Sequence, residues 1–558
     1  MGHKKSKKAF DREHKKVVPK QEDRGWIFLM VSSKWFIVVV LLLAGIVWYG
    51  FYLTHTKEVS GSDDREYASI ARNIVNGKGI TRNFIYPVDI NFFEKLPVPE
   101  FVHPPGYPLI LAGFFKLFGI SDFVALLPSY LSYFILIVLL FFFVRRYSDV
   151  RTSAVAVLIL IFNREILDMS LIALSEEIYT LLFFLFFILF LEAKSPRAIF
   201  VTGVLLGMSH LIRENMYPFL IPIFIYLYFY PDLPLWGKMG FFVTGLLIPI
   251  VPNMIRSFLE TGSPFFSYGK FTFMAFTDKY PWLNIYRDIQ NPSLFEFLMN
   301  DPSQFILKYI SNLVSTLEQI MSVSNPYLLA LFFIEMFNWK ISPEWKRIKM
   351  LFLLLFISQI LFIPLFTFTN RFFIPFLPLM IAFASQSFLR ISEGLISEVK
   401  AQWKKRISFL ITFLFLIFFV IPATYTMVIK PGGVPVLGFK TPQFGFLLPK
   451  EEAEGLNDFL RNEVKDNQVI WSDLAETLEW EGNRFCGWLP TRIRSIYEIH
   501  KKIPVDGILL TSLRTPYKME EEWRYLLFSE STLPKYRTVK LYKGRSISAK
   551  LLIRDERD

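Results

Sequence analysis

Two acidic residues that follow the first apolar segment are the most informative candidates for chemistry in this chain. They belong to the stretch SDDREYASIARNIVNGKGI, which begins at Ser62. A carboxylate just outside a membrane-spanning helix can act on a substrate as a general base. Asp63 is therefore a candidate base, with Asp64 beside it. The structural alternative is a capping box, because Asp63 and Glu66 have the spacing that starts a helix, here running to about Val75.

A histidine followed by two prolines forms a second motif. It lies in the stretch HPPGYPLILAGFFKLFG, from His103 to Gly119. Consecutive prolines remove backbone donors and hold the chain extended as it enters an apolar helix. His103 could donate a hydrogen bond to a phosphate oxygen at this rigid shoulder. A surface histidine before a turn is the alternative, and the residue types alone favour it.

Further charged side chains occur near the ends of apolar segments. They are Arg164, Glu165, Asp168, Glu176, Arg213, Glu214, Arg256 and Arg371. An ionised residue at the centre of a bilayer costs roughly 2.5 to 3.5 kcal/mol on insertion scales, so such residues usually have partners or a function. Several arginines with a few carboxylates suit a substrate that carries a phosphate, because guanidinium groups bind its oxygens bidentately. Arginines that merely extend to the membrane interface are the alternative.

The best-marked motifs of other enzyme classes do not occur in the sequence. It contains no GxxxxGK[ST], HExxH, GxSxG or CxxC pattern. This argues against the corresponding ATPase, metalloprotease, hydrolase and zinc sites. The single cysteine, Cys486, cannot form an internal disulfide. Transfer chemistry that depends on a phosphate group is what the remaining residues favour.

The elements that must position these residues are apolar segments of membrane-spanning length. Hydrophobic residues make up 53% of the 558 residues, the mean hydropathy is +0.37, and apolar runs of roughly 20 residues recur. We predict eleven spans, at 35–53, 122–144, 153–166, 171–192, 198–212, 216–230, 238–253, 322–338, 349–367, 372–389 and 407–429. Basic residues mark alternate connections, which places the amino terminus in the cytoplasm.

This topology predicts three parts: a basic cytoplasmic tail at 1–34, a transmembrane domain at 35–429 and a small soluble α/β domain outside the membrane at 430–558. Two long outer loops, 54–118 and 254–321, interrupt the transmembrane domain. Much of the net charge of +12 lies in the tail. There it indicates attraction to anionic membrane lipids rather than to nucleic acid, and a solvated arm without a partner is the alternative.

The order and spacing of the motifs resemble the glycosyltransferase-C (GT-C) superfamily, in particular the branch of the protein O-mannosyltransferases and the aminoarabinose transferase of lipid A. The first outer loop of that family has an Asp-Glu pair followed by Tyr-Ala-x-x-Ala-Arg. The matching residues here are Asp63, Asp64, Tyr67, Ala68, Ala71 and Arg72, with Asp64 in place of the usual Glu. A Lys-Pro-Pro or His-Pro-Pro shoulder and a later Phe-Gly turn are similar to His103, Pro104, Pro105, Phe118 and Gly119. Weaker similarities occur around Glu176, Arg213, Arg256 and Arg371.

The resemblance implies a GT-C enzyme with about eleven spans in the plasma (inner) membrane, which moves a sugar from a polyprenyl-phosphate donor to a lipid, glycan or protein acceptor at the outer face. It implies Asp63 as the base of an inverting transfer, with Asp64 and Glu176 as further catalytic carboxylates. The residues expected to bind the donor phosphate are His103, Arg213, Arg256, Arg371 and Arg164. No cofactor is expected, although a divalent cation bridging Asp63, Asp64 and the phosphate is an alternative.

The chief alternative function is a transporter or flippase of a lipid-linked or anionic substrate. It also needs many spans and charges within the membrane, together with access from both sides. The candidate charges here gather on one predicted side, which favours an enzyme. A non-catalytic scaffold is a further alternative, but eleven spans exceed what an anchor needs.

Overall fold

A computed structural model describes residues 35–54, 58–59, 61–229, 234–428, 448, 450–513, 521–545 and 547–555. The predicted basic tail at 1–34 and the predicted domain boundary at 430 lie outside the described residues. The first helices are α1 (Trp35–Thr54), α2 (Ser62–Val75), α3 (Gly106–Phe118), α4 (Asp122–Tyr147), α5 (Val150–Ile161), α6 (Arg164–Ser170) and α7 (Glu176–Glu192). Next come α8 (Pro196–Ile212), α9 (Tyr217–Phe229), α10 (Leu235–Thr261), α11 (Gly269–Met274), α12 (Leu294–Asn300), α13 (Pro302–Ser324) and α14 (Pro326–Phe337).

The remaining helices are α15 (Pro343–Phe362), α16 (Leu377–Leu395), α17 (Ala401–Val428), α18 (Lys450–Glu463), α19 (Ala475–Gly482), α20 (Ser495–His500) and α21 (Glu521–Phe528). The strands are β1 (Thr81–Arg82), β2 (Phe84–Ile85), β3 (Val98–Pro99), β4 (Ile470–Ser472), β5 (Cys486–Trp488), β6 (Gly507–Thr511), β7 (Tyr536–Lys543) and β8 (Ser548–Arg554). The chain is thus a helical body joined to a small mixed sheet.

Within the described residues, six helical segments are long and apolar enough to cross a membrane. They are Trp35–Thr54, Asp122–Tyr147, Trp236–Thr261, Pro343–Leu365, Asn370–Leu395 and Ala401–Thr424. Helices α13 and α14 meet this test as one pair, bent by 104°, which brings the number to seven. Four shorter apolar helices, α3, α5, α8 and α9, accompany them. An integral membrane protein follows from these helices, while the eleven spans stay a prediction.

The bend between α13 and α14 lies at Asn325, which has a positive φ of 60°. The predicted span 322–338 therefore begins three residues before the break, in the last turn of α13. Pro326 is the first residue of α14, a position that proline favours because its missing N–H has no partner within the helix there.

Helices α8 and α10 approach each other at glycines. A Cβ atom at Gly245 would collide with the carbonyl oxygen of Phe200, and one at Gly203 with the carbonyl oxygen of Phe242. Small residues let helix backbones meet closely in a membrane, where van der Waals packing replaces the hydrophobic drive. The close pair ends at Arg213, the residue that caps α8.

The sheet combines two distant parts of the chain. Its strand order is β2-β5-β4-β6-β8-β7, with the first four strands parallel and the last two antiparallel to their neighbours. Strand β2 belongs to the predicted first outer loop, and it pairs Phe84 with Cys486 in β5. A single apolar core beneath this sheet also takes in Tyr268 and Phe271 of the second predicted loop. Both loops and the carboxyl-terminal segment are therefore packed together.

Candidate active site

Helix α2 begins without a side-chain cap. Gly61 is its N-cap residue, and Asp63 and Glu66 make no capping bond. The capping-box interpretation is therefore wrong. The physical reason is that Glu66, only 2% exposed, is used elsewhere: its carboxylate accepts a hydrogen bond from Tyr86 at 2.9 Å and lies 3.1 Å from Nε2 of His103.

A chain of alternating charges surrounds Asp63. Oδ2 of Asp63 lies 2.8 Å from Nη2 of Arg371, and Nη1 of Arg371 lies 3.2 Å from Oε1 of Glu176. The same Glu176 oxygen is 2.5 Å from Nη1 of Arg213. Four residues from four segments thus form one group, in which two carboxylates balance two guanidinium groups. We call these four residues the Asp63 group.

The two carboxylates of the Asp63 group differ in their exposure to solvent. The side chain of Asp63 is 39% exposed, whereas that of Glu176 is 1% exposed. Only Asp63 can meet a substrate directly. Glu176, the first residue of α7, instead orients Arg371 and Arg213 from below, since a buried charge requires partners at short range.

The charge of Asp63 is set by its neighbours. Burial alone would raise the pKa of this carboxyl, but Arg371, His103 and Arg213 act more strongly and hold the pKa below its usual value. Asp63 is therefore ionised at neutral pH. An ionised carboxylate can accept a proton, and it accepts one more readily once the guanidinium that stabilises it is engaged by another anion.

His103 lies beside the Asp63 group. Burial alone would lower the pKa of its imidazole, but the hydrogen bond and charge of Glu66, helped by Glu100 and Asp63, raise it to about 9. The ring of Tyr67 lies with its centre 4.6 Å from that of His103. His103 is therefore a cation at neutral pH.

Tyr67 and Ser175 close the space between His103 and the arginines. The hydroxyl oxygens of Tyr67 and Ser175 lie 3.4 Å apart, and Nη1 of Arg213 donates to Ser175 at 3.3 Å. The ring of Phe372 lies under the guanidinium of Arg213 at 4.8 Å. These contacts hold the guanidinium of Arg213 in place beside Glu176.

A fully buried ion network supports the His103 segment. Glu100 accepts the backbone N–H of His103 at 2.5 Å and lies 2.9 Å from Nε of Arg82. Arg82 also pairs with Asp89 at 2.8 Å. The side chains of Arg82, Asp89 and Glu100 are all 0% exposed. Such a network is costly to break, so it holds the segment in one position.

The structure places the other predicted site residues differently. Arg256 donates to the backbone carbonyl of Glu100 at 2.9 Å and lies over the ring of Phe101, so it supports the His103 segment from outside the Asp63 group. Asp64 is only 2% exposed and accepts the N–H of Arg65. Both residues adjoin the site without the exposure of Asp63.

Arg164 occupies another part of the fold. It pairs with Asp168 at 3.2 Å and lines a cavity of about 80 Å³ between α6, the bend at Asn325 and α17. None of the Asp63 group lines this cavity. The pairing follows from the helix itself, because residues four apart face each other on α6. Arg164 therefore stands apart from the other predicted phosphate ligands.

The sequence analysis did not predict a role at the site for three residues, Glu66, Tyr67 and Glu100. Glu66 and Tyr67 follow Asp63 by three and four residues, so they share its helical face. That spacing was a usable signal, which the capping interpretation of Glu66 concealed. Glu100 carried no signal, because its role depends on contacts with a distant arginine and a neighbouring backbone.

A divalent cation at Asp63 and Asp64 stays a prediction. Over the parts of the chain that the structure covers, no three His, Cys, Asp or Glu side chains are grouped so that they could hold a metal ion. Asp63 is already paired with Arg371.

One part of the chain matches a known protein family. Residues 102–255 match the family model described as dolichyl-phosphate-mannose-protein mannosyltransferase. No curated protein sequence matches the chain significantly.

Two crystal structures of ArnT from Cupriavidus metallidurans share the fold. The one bound to undecaprenyl phosphate has 12% sequence identity and a TM-score of 0.54, with 92% of this chain and 98% of that chain covered. The apo structure has the same identity and TM-score, with 92% and 97% covered. The fold therefore extends over almost the whole length of both proteins. The resemblance seen in the motifs is confirmed to this extent: residues 102–255 match the mannosyltransferase family model, and the chain shares the fold of the two ArnT structures.

Proposed function

We propose that the protein transfers a sugar from a polyprenyl-phosphate donor to a hydroxyl or phosphate group of a lipid, glycan or protein acceptor, with inversion at the anomeric carbon. The observation that carries this proposal is the exposed carboxylate of Asp63 held by Arg371 above the buried pair of Glu176 and Arg213. The ArnT structure of similar fold was solved with undecaprenyl phosphate bound, which supports a donor of this class.

The donor phosphate would bind where positive charge is concentrated and accessible. The side chains of Arg371, His103 and Arg213 are 18%, 16% and 12% exposed, so each can present a nitrogen atom to a ligand while its base is packed. A phosphate bound to Arg371 competes with Asp63 for the same guanidinium. Asp63 then loses the partner that holds its pKa down, and becomes a better base when the donor is in place.

The reaction proceeds by displacement at the anomeric carbon. The acceptor oxygen forms a bond to that carbon while its proton passes to Asp63, and the bond from the carbon to the phosphate oxygen breaks. The electron pair leaves with the lipid phosphate. Arg371, Arg213 and protonated His103 stabilise the negative charge that develops there, in a site partly shielded from water.

The proposal also includes the face of the membrane on which the site lies. Nucleotide sugars are made in the cytosol, and they do not cross a membrane. A site at the outer face of the plasma membrane therefore needs a donor already attached to a lipid. Basic residues in alternate connections between helices support an amino terminus in the cytoplasm. Helix α2 and the carboxyl-terminal sheet would then lie outside.

Glycosyl transfer by the purified protein tests the proposal. The protein in detergent is mixed with a radiolabelled polyprenyl-phosphate sugar and extracted membrane lipids or glycans, and the product is identified by mass spectrometry. A new glycosidic or glycosyl phosphate bond supports the enzyme. Movement of the labelled lipid across sealed vesicles without any new bond would establish the flippase instead. The same assay with and without EDTA decides whether a cation takes part.

A further inference from the structure

Helix α19 of the carboxyl-terminal segment lies along helix α2, which carries Asp63. The hydroxyl of Ser62 donates to Oε1 of Glu476 at 2.8 Å, and Nη1 of Arg65 donates to the hydroxyl of Thr477 at 2.8 Å. These contacts are buried or half-buried, and they begin at the residue immediately before Asp63.

The contact continues to the far end of α2. Arg72 donates from Nη1 to the carbonyl of Trp480 at 2.8 Å and from Nη2 to the carbonyl of Glu479 at 2.7 Å. Positions 62, 65 and 72 are spaced so that they share one face of a helix. Asp63, Glu66 and Tyr67 occupy the adjoining face. Helix α19 thus contacts α2 along its length without covering the residues that face the site.

Helix α19 is itself attached to both halves of the protein. Oε1 of Glu479 accepts the backbone N–H groups of Asn83 and Phe84, which belong to the first outer loop. The indole of Trp480 donates to Asp122 at 3.0 Å, where the long apolar helix α4 begins. A displacement of α2 relative to the helical body would therefore have to break contacts at both ends of α19.

The hydrogen bond from Ser62 has a buried carboxyl group as its acceptor. Glu476 is a buried carboxyl, 8% exposed, which accepts hydrogen bonds from the hydroxyl of Ser62, the indole of Trp488 and its own backbone N–H. Burial and the nearby carboxylate of Glu66 raise its pKa to about 7. Removing this acceptor would leave the hydroxyl of Ser62 without its hydrogen-bond partner at the start of α2.

We propose that Glu476 is a positioning residue for Asp63: through Ser62 it fixes the first turn of α2 and hence the distance from Asp63 to Arg371 and to the acceptor. This inference rests on the proposed transfer reaction for its kinetic consequence. A misplacement of about 1 Å at a reacting group can lower a rate by roughly 100-fold. The loss of a single hydrogen bond at the start of α2 can therefore slow the reaction strongly.

The test uses the full-length protein with the substitutions Ser62→Ala, Glu476→Ala and Glu476→Gln. Glu498→Gln is the matched control, since Glu498 is an exposed residue of the same segment, paired only with Lys501 in the described contacts. Hydrogen exchange at residues 62–75 reports the position of α2 without any need for activity. Initial rates with the polyprenyl-phosphate sugar report kcat and KM.

We expect both alanine variants to exchange faster in the first turn of α2 and to lose about tenfold or more in kcat, with the KM for the donor within about twofold of wild type. Gln keeps an acceptor for Ser62, so Glu476→Gln should retain most of kcat. Ser62→Ala removes only a hydroxyl group, so this variant should fold. It tests the same hydrogen bond even if Glu476→Ala does not fold.

Unchanged exchange and unchanged kcat in the alanine variants would overturn the proposal. Faster exchange throughout the protein, with kcat per folded molecule unaltered, would overturn it too, since that result describes a general loss of stability. If wild-type protein transfers no sugar, the proposed function fails, whereas the exchange experiment still decides whether Glu476 positions α2.

Discussion

Asp63 and Arg371 are 308 residues apart in the chain, and their side chains meet at 2.8 Å. The guanidinium of Arg371 lies between an exposed carboxylate and the buried carboxylate of Glu176. Arg371 thus has one buried partner that holds it in position and one accessible partner. In the proposed reaction the donor phosphate would replace the accessible one.

Replacement of Asp63 by Asn should abolish transfer while the fold is kept. Asn has nearly the same shape but cannot accept the acceptor's proton, so we expect kcat to fall by about 100- to 10,000-fold. Binding of the donor lipid, measured by thermal stabilisation in detergent, should persist. Asp458→Asn, at an exposed aspartate on α18, is the control. Normal turnover by Asp63→Asn would exclude Asp63 as the base.

Replacement of Arg371 by Gln should lower kcat by about 100- to 1,000-fold, because one stabilising donor of the leaving phosphate is lost. The kcat of Arg371→Lys should lie between those of Arg371→Gln and wild type, since an ammonium cannot bridge two carboxylates as the planar guanidinium does. Because Arg371 holds the pKa of Asp63 down in the free enzyme, the acidic limb of the kcat/KM profile should move to higher pH in Arg371→Gln. An unmoved limb would show that another group titrates there.

The stability of the protein should depend on pH through His103. The pKa of its imidazole is 6.5 without a folded environment and about 9 in the folded protein, because Glu66 outweighs the effect of burial. The stabilisation is complete below pH 6.5 and is lost as the pH rises through about 9. We expect the melting temperature of wild type to fall more than that of His103→Gln over this range. Parallel melting curves for the two proteins would contradict the assigned pairing.

Replacement of Glu176 by Gln should destabilise the protein by about 3–5 kcal/mol, because it leaves two guanidinium groups without their shared buried partner. Glu192→Gln is the matched control. Glu192 is 33% exposed and pairs with Arg146, which is 64% exposed, so its loss should cost about 0–1 kcal/mol. Denaturation in mixed micelles measures both values. Equal losses would indicate that Glu176 is less buried than the structure shows.

Two glycines of helix α10 should respond differently to the same substitution. Gly245→Ala places a Cβ against the carbonyl of Phe200 and should destabilise the contact of α8 with α10 by about 1–3 kcal/mol. A Cβ at Gly240 meets no atom within 4 Å, so Gly240→Ala should be neutral or stabilising by up to about 1 kcal/mol, as expected from helix propensity. The melting temperatures of the two variants in detergent provide the comparison.

The amino-acid sequence by itself determined the membrane character, the helices and the neighbourhood of the site. Apolar runs predicted helices at α1, α4, α15 and α17, because such runs are long, continuous and local. The motifs around Asp63 and His103 indicated the resemblance to GT-C enzymes, since each motif is a short run of neighbouring residues that can be recognised in the sequence. The domain division at 430 stays a prediction, because the boundary lies outside the described residues.

Tertiary structure alone decided which charges meet. Arg371 and Arg213 reach Glu176, whereas Arg164 turns to Asp168 on its own helix. Glu66 pairs with His103 instead of capping α2, strand β2 joins a sheet made from residues some 400 positions later, and α19 lies against α2. Contacts between residues so far apart in the chain leave no periodic pattern in the sequence. They depend on how helices and strands pack, and that packing is a property of the folded chain as a whole.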